Sequence, residues 1–379
     1  MPGTACSCNR TLQASLFGGG GNQRESVINS VLVALLLEVD CLVLPNVSLI
    51  AIPVQEYGHR GRASYASPFD DRSSWYRFGN LFDAAFFQRR MHRLGLCTVD
   101  PEAAIVPADL LKVRLPNRWA NPDWDKYRPR LLNHSYASLL QTDPSVSKEA
   151  ERQALTLLAT TPKPAGPTRV LYTMQTGNTF RVSRGQSLEC WRLNVLCGYA
   201  TRSIRASPFI ASMTSRITNS MLQLTPKWHA IHLRAWGWSQ PCKPRDANIE
   251  FIVNQTRIML PQPGEAGLYL ASEHSAAVLV RERFQQHFRF VASKENTSER
   301  IRELVPFEVC AQIDFEVAHT LTAQTGGVYF MTPASSSDHD LAARRWDLGL
   351  PSARTMCYDG QLCIPHVSPC PVFATSISA

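Results

Sequence analysis

Three stretches of the sequence carry groups suited to holding an anion. In His229-Ala230-Ile231-His232-Leu233-Arg234 an apolar run reads as a buried strand that delivers His232 and Arg234 at its carboxyl end. Open α/β sheets bind ligands in the crevice at that end. A guanidinium there can grip diphosphate oxygens through paired, charge-assisted hydrogen bonds; a surface arginine after a core strand is the plainer alternative. The second stretch is the glycine run 18–21, followed by Asn22 and Gln23 at the head of a helical pattern. Glycine lets backbone approach a ligand closely, and N–H groups at a helix start attract negative charge. The run matches neither G-x-G-x-x-G nor a P-loop, so a flexible loop stands as its alternative. In the third stretch, Ile313-Asp314-Phe315-Glu316 lies on an amphipathic helical pattern that runs to a Thr325-Gly326-Gly327 turn and a strand-like Val328-Tyr329-Phe330. The turn offers N–H groups and a hydroxyl to a phosphate, and a plain helix–turn–strand unit is the alternative.

Other chemistries lack their residues. Asp338-His339-Asp340 matches the D-x-D of metal-dependent sugar transferases, but it follows Ser335-Ser336-Ser337 in a loop with no strand before it. Cys357, Cys363, His366 and Cys370 have no zinc-site spacing, and disulfides fit them better. There is no HExxH, no G-x-S-x-G and no convincing triad.

Positioning the three stretches takes alternating strands and helices. The patterns predict a helix over 25–38, a short strand over 41–45 ended by proline, and a helix over 81–94. Residues 117–129, rich in Trp, Asn, Asp and Pro, read as irregular, and 160–167 as a proline-rich connector. A strand is expected over 170–174 and one or two helices over 188–224. A second series follows: strands at 229–233, 268–271 and 288–291, and helices at 276–286 and 310–319. Alternation in two blocks argues for two Rossmann-like α/β domains with parallel sheets. We divide the chain into 1–224, 225–356 and a cysteine-rich tail at 357–379.

The chain has 379 residues, 44% of them hydrophobic and 18% charged, which excludes a disordered tail or a disulfide knot. Its net charge of +8 permits an anionic partner, but the basic residues are scattered rather than striped with aromatics, which argues against nucleic acid. The most apolar stretch, 27–44, is broken by Asn29, Ser30, Glu38 and Asp40 and is too polar to span a bilayer. Of eleven cysteines, five bunch at Cys6/Cys8 and at 357–370, which fits terminal staples in an oxidising compartment, with buried thiols as the alternative. N-x-[ST] acceptors at Asn9, Asn46, Asn133, Asn254 and Asn296 point the same way. Residues 1–13 are polar and form no leader, so a secretory chain would start upstream of Met1.

The order of the motifs resembles the GDP-fucose protein O-fucosyltransferase family, above all its plant and algal branch. GGxNQ is Gly19-Gly20-Gly21-Asn22-Gln23, and the "LFD…F" segment is Leu81-Phe82-Asp83-Ala84-Ala85-Phe86. HLR is His232-Leu233-Arg234, followed by Cys242, and "LYLASE" is 268–273. The last segment runs from Ala311 to Val317 and on to Thr325, Gly326 and Gly327, with Arg344-Arg345 as the late basic pair. The resemblance covers about residues 17–356.

It implies a GT-B fold, in which two Rossmann-like domains enclose a donor cleft. It also implies inverting transfer of fucose from GDP-fucose to a hydroxyl of a protein or glycan, with neither a metal nor a cofactor beyond the donor. Arg234 would stabilise the leaving diphosphate and His232 would orient donor or arginine. Thr325, Gly326 and Gly327 would meet the phosphates, Asp314 the base or ribose, Gly20 and Gly21 would also bind the donor, and Asn22 would meet its sugar or the acceptor. The implied compartment is the endoplasmic reticulum or Golgi lumen. Ala235 stands where many members carry an acidic residue, Val328 where they carry Asn, and the glycine turn has no carboxylate to serve as base. A non-catalytic relative that binds a GDP-sugar or glycan is the alternative these departures leave.

Overall fold

The computed structural model describes residues 8–16, 20–36, 39–48, 75–101, 111–114, 170–176, 195–233, 250, 252–254, 256–258, 260, 263–272, 274–293, 307–331, 338, 340–341, 344–345, 348–350, 355–359 and 366–369. Described residues up to Ser207 form one compact unit and those from Pro208 onward another. That division falls earlier than the expected boundary after residue 224.

The first unit is built on a parallel sheet. It comprises β1 (Arg10–Leu16), β2 (Cys41–Val43), β5 (Cys97–Val99), β6 (Leu111–Arg114) and β7 (Val170–Thr176), in the order β5-β2-β1-β7-β6. A separate antiparallel pair joins β3 (Val47–Ser48) to β4 (Trp75–Tyr76). Helix α1 (Gly20–Leu36) starts five residues before the predicted Glu25, so Gly20, Gly21 and Asn22 form its first turn rather than a loop. From Gln23 to Ala34 every residue is buried, including Arg24, Glu25 and Asn29. Arg24 donates through Nη2 to the Ile204 carbonyl at 2.6 Å, which satisfies one arm of the buried guanidinium. The predicted helix over 81–94 is two helices, α2 (Phe78–Leu81) and α3 (Ala84–Arg93). Asp83 separates them because its carboxylate caps α3, accepting from Phe86 N–H at 2.8 Å. Helix α4 (Val195–Ser203) completes the described elements of the unit. Cys8 and Cys41 form a disulfide that ties the approach to β1 to the start of β2, and Cys97 is also disulfide-bonded.

The second unit opens with α5 (Pro208–Leu224), its proline at the first helical position, where a missing N–H costs nothing. Its buried positions Ile210, Thr214, Ile217, Thr218 and Met221 repeat every three or four residues and form one face. The sheet comprises β8 (Trp228–Leu233), β9 (Gly267–Ser272), β10 (Phe290–Ser293), β11 (Tyr329–Met331), β12 (Thr355–Asp359) and β13 (His366–Pro369). Their order is β10-β9-β8-β11-β12-β13, with only the last pair antiparallel. The expected cysteine-rich tail is therefore not separate from the domain: it begins inside β12, whose Cys357 is in register with Met331 of β11. The unit also contains a 3-10 turn (Pro263–Glu265) and helices α6 (His274–Gln285) and α7 (Phe307–Gln324).

Strand alternation gives β8 two faces. Ile231 and Leu233 join Leu268, Leu270, Val280, Phe284 and Phe330 in an apolar core. Trp228, Ala230 and His232 point the other way, toward α7, and that face is rich in polar and aromatic groups. Trp228 is fully buried, and its indole N–H is shared between the Met221 and Thr225 carbonyls, both at 3.0 Å, at the end of α5. A Cβ on Gly267 would lie 2.5 Å from that indole, so this strand start tolerates only glycine.

Candidate functional site

In the second sheet the chain leaves β8 toward β9 on one side and returns to β11 on the other. The carboxyl ends of β8 and β11 therefore flank the point where strand order reverses, which is where open α/β sheets hold ligands. His232 lies at that end. Its Nδ1 is 2.6 Å from an Oδ2 oxygen of Asp338, beyond β11. The other oxygen of Asp338 accepts from the Tyr329 hydroxyl. A carboxylate whose two oxygens face an O–H and an imidazole nitrogen is an acceptor at both, so Nδ1 carries the proton. Asp338 is 0% exposed and His232 12%, so the imidazole is the accessible member of the pair. The Phe315 ring of α7 packs edge-on against the imidazole at 5.1 Å.

One row deeper, Tyr269 and Tyr329 flank Ala230 across the sheet. Tyr269 donates to Asp314 at 2.5 Å, and Asp314 is buried at 3% exposure. Asp314, the residue expected to meet a base or ribose, ties α7 to β9 through this bond. Its neighbour Glu316 takes both guanidinium arms of Arg344, each at 2.7 Å. Burial alone would lower the Arg344 guanidinium, but the charge and hydrogen bonds of Glu316 hold it above its ordinary value. Arg345, 1% exposed, donates to Thr322 at 2.5 Å and to the Gly327 carbonyl at 3.2 Å. The late basic pair thus fastens the segment after β11 to α7 and its closing turn.

The Thr325-Gly326-Gly327 turn is also placed differently from expectation. A turn from a helix into a parallel strand falls at the amino edge of the sheet, whereas ligands sit at the carboxyl edge. Thr325 accepts from Trp228 N–H at 3.2 Å and donates to the Trp228 or Leu321 carbonyl at 3.0 and 2.7 Å. Gly326, with φ of 63°, and Gly327, whose N–H reaches Thr322 O at 2.9 Å, close α7. A Cβ on Gly327 would lie 1.7 Å from the Trp228 carbonyl oxygen. From Trp228 to His232 is four strand residues, about 13 Å at a strand's rise. These three residues close α7 at the amino edge of the sheet. Val328 belongs to the same edge: its N–H donates to Nδ1 of His229 at 3.0 Å.

Of the remaining expected site residues, Gly20, Gly21 and Asn22 form the first turn of α1, the element that follows β1. Arg234 directly follows β8 and lies outside the described residues, as do Ala235, the irregular 117–129 stretch, and Cys363 and Cys370. Sequence reasoning missed Asp338 and Tyr329. The signal was present, because a carboxylate a few residues beyond the strand beside β8 falls at the switch point whichever motif it mimics. Among the described residues no group of three or more His, Cys, Asp or Glu side chains is gathered to hold a metal.

No protein-family model matches the chain, and no curated protein does. Solved structures share its fold. POFUT1 in complex with GDP-fucose is 13% identical, with a TM-score of 0.53 over 94% of this chain and 100% of that one. POFUT1 in complex with GDP is 12% identical, with a TM-score of 0.52 over 94% and 100%. The α-1,6-fucosyltransferase NodZ soaked with GDP-fucose is 12% identical, with a TM-score of 0.50 over 95% and 98%. At these identities the likeness establishes the fold: a mixed α/β protein with parallel sheets, as in GDP-fucose fucosyltransferase structures.

Proposed function

We propose that the chain is an inverting, metal-independent glycosyltransferase of the GT-B type that moves fucose from GDP-fucose to a hydroxyl of a protein or glycan. The observation that carries this reading is the His232–Asp338 pair at the switch point of the second sheet, inside the His-Leu-Arg segment. The likeness to fucosyltransferase structures with GDP-fucose and GDP supports it, and the plant and algal branch rests on the motifs alone. Fucosyl transfer breaks the bond between C1 and the β-phosphate, so negative charge grows on the leaving GDP. Catalysis then needs preorganised cationic donors aimed at that charge. Arg234, directly past β8, is assigned that role, with His232 two residues before it in sequence.

The alternative of a non-catalytic GDP-sugar-binding relative drew on Val328 and Ala235. Val328 lies at the amino edge, bonded to His229, so its identity does not bear on a donor held at the carboxyl edge. For the compartment we propose the secretory lumen. The Cys8–Cys41 disulfide supports it, as does the exposure of acceptor residues Asn9, Asn46 and Asn254. Among the described residues no helix is long and apolar enough to cross a membrane.

The test is GDP release from GDP-fucose in the presence of hydroxyl acceptors. Arg234→Ala should lower turnover by ~10²–10³, as loss of one preorganised donor does. Arg234→Lys should also fail, because it keeps the charge but loses the planar fork. A chelator should leave turnover unchanged. Near wild-type turnover in Arg234→Lys would sink the clamp assignment.

A further inference from the structure

Basic residues that are scattered along the sequence are gathered by folding on one face of the first unit. Residues 77–95 and 195–207 hold six arginines and His92 against a single carboxylate, Asp83. An antiparallel bridge between Phe82 and Ala206 joins the two segments, and Asp83 N–H donates to the Arg205 carbonyl at 3.0 Å. Arg205 is thereby set at the start of α3, and the exposed Arg89 and Arg93 follow along that helix. Asp83 itself is taken up as the cap of α3. Among the described residues no carboxylate is in ion-pair contact with Arg89, Arg93 or Arg205. We propose that this arginine face of α3 is a docking surface for an extended acidic segment of a partner protein. The proposal stands independently of the fucosyl-transfer reading.

The fold's own needs account for only part of the cluster. Arg90 fastens α3 to α4: its guanidinium stacks on the Tyr199 ring at 3.6 Å, and its Nε donates to the Ser203 hydroxyl at 3.2 Å. The helix dipole favours cations in the last turn of α3, where Arg90, His92 and Arg93 lie. Arg89 precedes that turn and Arg205 is outside the helix, so neither is explained by it. Like charges gathered without anions repel one another and cost stability. An anionic partner removes that repulsion.

The arrangement also selects the kind of anion. All three exposed cations are arginines, whose planar fork takes a carboxylate through two parallel hydrogen bonds. The Arg205 guanidinium lies 3.6 Å from the centre of the Phe86 ring and that of Arg89 at 6.0 Å. Stacking holds the forks in place, so less side-chain freedom is lost when a carboxylate binds. It also uses the ring as an arginine platform, which a nucleic-acid base would otherwise need for stacking. Arg89 and Arg93 are one helical turn apart, about 6 Å of rise. Alternate side chains of an extended peptide are about 6.6 Å apart on one face. Acidic residues at alternate positions therefore meet Arg89 and Arg93 in step, and a further one reaches Arg205 beside Phe86.

The experiment is a fluorescence-anisotropy titration of the full chain with a labelled peptide of alternating Glu and Ser, at low and at physiological salt. The variants are Arg89→Ser with Arg93→Ser, and Arg205→Ser. Arg216→Ser with Arg257→Ser is the control, which removes as much charge from exposed positions of the second unit. The peptide should bind wild type, and more weakly as salt rises. Loss of Arg89 and Arg93 should weaken binding at least about tenfold, loss of Arg205 about threefold, and the control should stay near wild type. A peptide that does not bind, or a control that loses as much as the Arg89 and Arg93 pair, overturns the proposal. So does a surface on which only a sulfated oligosaccharide or an oligonucleotide binds in an Arg89- and Arg93-dependent way. Photo-crosslinking of the same peptide to wild type, mapped by mass spectrometry, needs no variant to fold. It should label α3 or residues 204–207, and labelling confined to other segments overturns the proposal equally.

Discussion

Two histidines separated by two residues on β8 are assigned opposite chemistry by strand alternation. His229 is 1% exposed, and its Nδ1 accepts from Val328 N–H, so the ring is held neutral with its proton on Nε2. Burial first, and then the charge of Lys227, lower its pKa to about 4 from an ordinary 6.5. Its folded pKa lies below its unfolded one, so the stability it contributes is full above pH 6.5. That stability is lost as pH falls from 6.5 toward 4, at up to about 1.4 kcal/mol per pH unit. Urea denaturation at several pH values should show this slope, and His229→Gln should flatten it. His232, by contrast, donates through Nδ1 to a carboxylate and keeps some exposure. Its placement at a strand end was legible in the alternation of 229–233, because one register satisfies both the apolar core and a polar neighbour. Its partner was not, because Asp338 is 106 residues away and its local sequence resembles a metal motif.

Among the elements, α7 shows how a segment can match a motif and still be assigned to the wrong end of a sheet. The helix runs from Phe307 to Gln324, longer than the 310–319 that periodicity gave, and the parallel pairing of β11 with β8 puts the turn after it at the amino edge. Local sequence describes a turn well, but only the parallel strand order says which edge of the sheet it occupies. Thr325→Ala should therefore leave GDP affinity unchanged and lower stability by about 1–2 kcal/mol, because it removes the hydroxyl that Trp228 N–H and the Trp228 and Leu321 carbonyls share. A weakened GDP affinity with unchanged stability would return the turn to the donor site. Gly327→Ala should yield little folded protein, since its Cβ would lie inside the contact distance of the Trp228 carbonyl oxygen. Strand β1 was missed for a different reason. Its alternation of Thr11, Leu12, Gln13 and Ala14 lies in a polar opening segment, and its central place in the first sheet comes from β2 and β7, far along the chain.

For the whole molecule, the alternation of strands and helices gave the α/β class and the two sheets, while the boundary and the tail were set by packing. Helix α5 goes with the second unit because its buried face and the Trp228 indole belong to one core. The Cys8–Cys41 disulfide closes a sequence separation of 33 residues. Replacing both cysteines by serine should cost about 2–4 kcal/mol, read as a lower urea midpoint. The central claim is that GDP-fucose is held at the carboxyl ends of β8 and β11. The most direct measurement is a crystal structure of the chain with GDP bound. The account predicts the diphosphate beside the end of β8, within hydrogen-bond reach of His232 or Arg234. A nucleotide seated instead at Thr325–Gly327, or held entirely away from the second sheet, would contradict it.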